Sequence, residues 1–170
     1  GSPVFAADMK GDLAGIAQPG VTNEKIEERV AGLKCKWEPA AAPVEIVSLT
    51  GEDGVPLRAS LSQFGPTLLA KVLSLNDTQE SSLSLVFRYC EENDLALIEL
   101  EDLRAALAYL TGPGKADLKT LGGLSSATVG VLQRKVSELE SEGGDIFFGE
   151  PGLDVKDLLR VTPDGRGVVT

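Results

Sequence analysis

Apolar residues along this chain follow two periods. The first stretch, Pro3-Val4-Phe5-Ala6-Ala7, is a short apolar run that stops at Asp8-Met9-Lys10-Gly11-Asp12. That pattern predicts a buried strand at about 3–8 opening into a loop through Gly11, Gly15 and Pro19-Gly20. A helix is expected at about 22–33, with Thr22 or Asn23 as its N-cap and Ile26, Val30 and Leu33 on one face. Pro39–Pro43 reads as a linker. Val44–Leu49 and Leu57–Ser60 read as short strands around the turn-rich Thr50–Gly54.

Beyond residue 60 the period changes to about 3.6. Leu68, Leu69, Val72 and Leu73 share one helical face. Asn76 with Gln79 three residues later fits a capping box, followed by the stripe Leu83, Val86, Phe87 and Cys90. A third helix carries Leu100, Leu103, Leu107 and Leu110. Gly122-Gly123 breaks the pattern, and Ser125 or Ser126 then opens a fourth helix with Val129, Leu132, Val136 and Leu139 inward. Gly143-Gly144 ends it. Asp154 caps a short helix to about Arg160, and Gly167–Thr170 reads as a strand. The result is an α/β chain in three parts, with strands in 1–60, a helical middle at 61–160 and a return strand in 161–170.

Composition narrows the chemistry. The 170 residues suffice for one domain, and 42% apolar content for a core. No apolar run approaches the ~20 residues of a membrane span, and no export signal opens the chain, so a cytoplasmic protein without membrane association is expected. There is no His, and Cys35 and Cys90 stand far apart. His-based acid–base catalysis, Cys–His nucleophiles and ordinary zinc sites are thereby excluded, and no metal ligand set is assigned. The net charge is −10, from 16 basic and 26 acidic residues, with the basic ones scattered. Such a segment is a poor nucleic-acid binder on its own.

Three stretches invite a site. Gly112-Pro113-Gly114-Lys115-Ala116 imitates a phosphate loop, but Tyr109 and Ala116 stand where that loop needs Gly and a hydroxyl, and a helix precedes it. It reads as a helix stop and restart. Leu95–Glu99 imitates a strand ending in an acid; it reads as a connector into a helix whose first turn is acidic. Asp8, Lys10 and Asp12 have two readings of equal weight. One is a strand-end turn in which Asp12 caps a short helix. In the other, Asp8 at the sheet edge orders a water or a magnesium shell, and Lys10 meets phosphate charge.

The run Val4–Gly15 resembles the second core strand and following turn of HerA-like P-loop ATPases, and most closely the bacterial helicase HerA-like C-terminal domain (YjgR-like) branch. Further matching runs follow in order: Asn23–Lys25, Gly54–Arg58, Leu75–Glu80, Leu85–Tyr89, Leu121–Gly130, Phe147–Pro151 and Gly165–Val168. The resemblance implies a partial RecA-type P-loop core in residues 1–60, a large helical insertion at 61–160 and a truncated return strand at 161–170. For the complete protein it implies ATP and Mg2+, a homo-oligomeric ring of the hexameric kind, and nucleic acid as a possible partner. It also implies that the phosphate loop and the acidic strand-end pair lie outside this chain. The segment would then bind no cofactor and hydrolyse nothing alone, with Asp8 acting catalytically only in the parent. Lys10, Gly11 and Asp12 would form the edge of the nucleotide site. The rival reading is a non-catalytic module whose amphipathic helices, about 67–93 and 125–141, dock on a protein partner.

Overall fold

A computed structural model describes residues 1–120 and 124–170. The chain forms two compact units, one of Gly1–Ser48, Asp53–Val55 and Asp154–Thr170, the other of Leu49–Glu52 and Pro56–Leu153.

In the first unit, three short segments run parallel. Val169 bridges both Val4 and Val44. The N–H of Val4 donates to Val168 O (3.0 Å), that of Ala6 to Thr170 O (2.8 Å), and that of Thr170 back to Val4 O (2.8 Å). On the other side, Glu45 N–H donates to Val169 O and Val169 N–H to Pro43 O, both at 2.9 Å. Residues 168–170 therefore lie in the middle. The regular pairing is shorter than the runs at 3–8 and 44–49 suggested. Among the described residues only Val47–Ser48 (β1) and Val55–Pro56 (β2) form regular strands, with Val55 N–H donating to Ile46 O at 2.9 Å. Arg160–Thr170 turns back on itself through the bridge Val161–Gly167, where Gly165 takes φ +82°.

Glu24–Leu33 (α1) starts at Asn23, whose side chain accepts Ile26 N–H at 3.0 Å. It ends at Lys34 in the left-handed region. None of its residues is buried, and Leu33, expected inward, is 64% exposed. The first unit in fact contributes no side chain to the hydrophobic core found among the described residues.

That core belongs to the second unit. Its helices are Leu61–Phe64 (α2), Pro66–Val72 (α3), Asp77–Glu92 (α4), Leu100–Thr111 (α5), Lys115–Thr120 (α6), Ser126–Ser141 (α7) and Gly144–Phe147 (α8). Local sequence sets their ends. Asn76 and Gln79 close a reciprocal capping box (3.0 and 3.1 Å), and Ser60 and Gln63 close another (3.2 Å each). Ser125 accepts Thr128 N–H at the start of α7. Asp102 Oδ2 accepts the N–H groups of Ile98 and Glu99, so Leu95–Glu99 is indeed a connector into α5. Gly112–Gly114 separates α5 from α6, a stop and restart rather than a phosphate loop. The Gly122-Gly123 break and Leu121 lie outside the described residues.

α3 packs on α4, and α5 on α7, with α4 touching both α5 and α7. Leu100, Leu103, Leu107 and Leu110 of α5 meet Leu83, Val86 and Cys90 of α4 and Val129, Leu132 and Val136 of α7, all buried. Phe64, Phe147 and Phe148 add a cluster of edge-to-face rings, with centroids 4.9–5.7 Å apart. In α3 and its C-cap the inward residues are Leu69, Ala70 and Leu73. Leu68 and Val72, also expected inward, are about half exposed, because a seven-residue helix packed on one side buries only a narrow stripe. Most of the stripe residues that the docking-module reading offered to a partner lie in this unit's own core, Leu68 and Val72 excepted.

Candidate functional site

The segment 4–6 makes its last parallel hydrogen bond at Ala6, and the chain then passes through Ala7 into Asp8. Open parallel sheets place ligands beyond the carboxyl ends of their strands, so this is the edge where chemistry is expected. The Asp8 carboxylate organises it. Oδ1 accepts the N–H of Lys10 (3.1 Å) and of Gly11 (2.7 Å), and Oδ2 accepts that of Leu13 (2.9 Å). Gly11 sits at φ +75°, where a side chain would strain the backbone. Desolvation alone would raise the Asp8 carboxyl. Donation from Lys10, Gly11, Leu13 and Ala14 outweighs it and holds the group below its ordinary value.

The short helix after the turn is a 3-10 helix, Leu13–Ala17. Asp12 occupies its N-cap position but makes no side-chain capping bond there. The capping role that the strand-end-turn reading gave to Asp12 falls instead to Asp8, whose Oδ2 takes the Leu13 N–H. Lys10 and Asp12 both project into solvent.

Beside the turn, within the first unit, lies a cavity of about 400 Å³ lined by Asp8 and Gly11 together with Glu45, Asp53 and Thr170. Apolar side chains fill most of the remaining wall, Leu13, Ile16 and Ile46 among them. Three carboxylate residues and no Lys or Arg line it. Glu45 is neutralised by an ion pair with Arg160. Among the described residues no group of three His, Cys, Asp or Glu is placed to hold a metal ion.

The structure thus brings Asp8 and Gly11 to one cavity wall and leaves Lys10 and Asp12 outside that wall. Reading along the chain did not single out Glu45, Asp53, Arg160 or Thr170. Nothing local marks them, since Glu45, Asp53 and Thr170 reach the cavity beside Asp8 only through pairing of segments distant along the chain, and Arg160 only through its ion pair with Glu45.

Fold and site together define an α/β protein, about half helical, with an acidic turn organised by Asp8 at the end of a small parallel arrangement. The family model described as helicase HerA-like C-terminal matches residues 1–170, the whole chain. The chain belongs to that family. No curated protein and no solved structure matches it. Among the described residues no helix is long and apolar enough to cross a membrane.

Proposed function

We propose that this chain is part of a HerA-like ATPase and supplies one edge of its nucleotide site, the Asp8–Asp12 turn at the end of the second strand of a RecA-type core. Support comes from the family match along the whole chain, combined with an ordered acidic turn at the carboxyl end of parallel segments. The second unit is the helical insertion in that reading.

ATP and Mg2+ are the implied ligands of the complete protein, and the residues here do not hold them unaided. A triphosphate does not fit a wall that carries the Asp8 and Asp53 carboxylates and no Lys or Arg unless a cation accompanies it. Magnesium in such enzymes is held by one or two carboxylates together with phosphates and waters. Asp8 spends at least three of its roughly four acceptor positions on backbone N–H groups, with Ala14 also donating, which leaves at most one for a water. Its part is therefore that of an edge, with phosphate-binding groups supplied from elsewhere in the protein. The complete enzyme works as a homo-oligomeric ring, hexameric in the family pattern. Nucleic acid is contacted by parts other than this acidic segment.

The test compares two preparations. The isolated 170-residue chain should hydrolyse Mg-ATP far below the ~1 s⁻¹ that marks ordinary enzyme turnover. In the full-length protein, Asp8→Ala should lower kcat/KM by roughly tenfold or more, while the helical circular-dichroism signal and the unfolding midpoint stay near those of the parent. Ordinary turnover by the isolated chain, or unchanged kcat/KM in the variant, overturns the reading.

A further inference from the structure

An anion approaching the Asp8 turn meets backbone that is already spoken for. Consecutive N–H groups in a turn with a left-handed residue commonly form a concave anion cradle. Here the N–H groups of Lys10, Gly11 and Leu13 all point at Asp8 instead. The turn has no main-chain donor left for phosphate at those positions, and an acidic group fills its centre. What remains positive is the ammonium of Lys10, exposed and, among the described residues, in no salt bridge. A carboxylate that accepts from residues two, three and five positions later fixes where that side chain leaves the backbone.

We infer that Asp8 is a positioning residue: it folds the turn so that Lys10 alone presents positive charge to the nucleotide's phosphates. This rests on the ATPase reading above and gives Asp8 a task beyond holding a water. Lys10 is then the ligand-contacting group, and Gly11 is needed only for its backbone angle, since a Cβ there would touch nothing within 4 Å. A loss at Gly11 is therefore conformational rather than steric.

Four further variants of the full-length ATPase, alongside Asp8→Ala, separate these roles by steady-state kinetics with Mg-ATP. Lys10→Gln should raise KM about tenfold, the loss of one charge-assisted contact, with kcat within about twofold. Lys10→Arg should recover most of that affinity. Gly11→Ala should raise KM in the same way although Asp8 and Lys10 are both intact. Gly11→Asn, which tolerates the left-handed region, should raise it less. If KM stays unchanged in Lys10→Gln and Gly11→Ala while Asp8→Ala still cuts kcat, Asp8 acts directly on water or magnesium. The positioning inference then falls and the ATPase reading stands. A full-length protein without ATPase activity removes both.

Discussion

Leu103 is the side chain whose removal tests the architecture most directly. It lies at the centre of the α5 stripe with 0% exposure, within the cluster shared with α4 and α7. Leu103→Ala deletes three carbons, worth about 0.8 kcal/mol each in lost transfer energy. The space left behind is enclosed by helices that cannot all collapse onto it, which brings the expected cost to about 3–4 kcal/mol. Domains of this size are stable by only about 5–15 kcal/mol, so the effect is large. With a urea dependence of about 2 kcal/mol/M, the unfolding midpoint should fall by about 1.5–2 M. The assay is far-UV circular dichroism during urea denaturation, because the buried core sits in the helical unit. Leu68→Ala on α3 is the internal control. Leu68 is 50% exposed, so its truncation should cost about 1 kcal/mol or less. Equal midpoints for the two variants would refute the placement of α5 in the middle of the unit.

Tyr89 supplies a pH test. Desolvation raises its phenol first, and the hydrogen bond to Asp117 (3.2 Å) with that carboxylate's charge adds to the rise, bringing the pKa to about 12. A raised acid favours the neutral form in the folded state. Its contribution to stability is therefore complete below the ordinary value of 10.0 and is lost as pH climbs through about 12. Relative to the parent, Tyr89→Phe should flatten the fall in stability between pH 10 and 12, measured by denaturation at each pH; parallel curves would refute it. The two cysteines should differ in kinetics. Cys35 is exposed and should react promptly with a thiol reagent. Cys90 is 2% exposed, and burial, then the nearby Asp102 charge, raises its pKa, so it should react only as fast as the helical unit opens. Equal labelling rates under native conditions would contradict its burial.

Much of the helical unit is legible in the sequence because its instructions are local. A capping box needs two side chains three positions apart, and Asn76 with Gln79 forms the box that spacing predicts. The leucines of α5 recur at helical spacing, and all four are buried. Reading failed where burial depended on a neighbour rather than on the period. Leu68, Val72 and Leu33 carry the right pattern, yet nothing packs over enough of their helix faces to cover them. The candidate site was half legible. A carboxylate followed by Lys-Gly-Asp at the end of an apolar run marks the turn, but which acid caps the following helix is settled by reach. The longer way round, from Asp8 to Leu13, wins over the adjacent Asp12.

By itself, then, the sequence determined the family, the helical segments with their caps, and the acidic turn as the place to look. Each is written in residues close along the chain or in motifs matched in order. Tertiary structure alone decided that residues 168–170 lie between 4–6 and 43–45, and so that Glu45, Asp53 and Thr170 share a cavity wall with Asp8. Parallel pairing joins segments that no local period connects, and its register is fixed only when the backbone donors and acceptors of distant segments find one another.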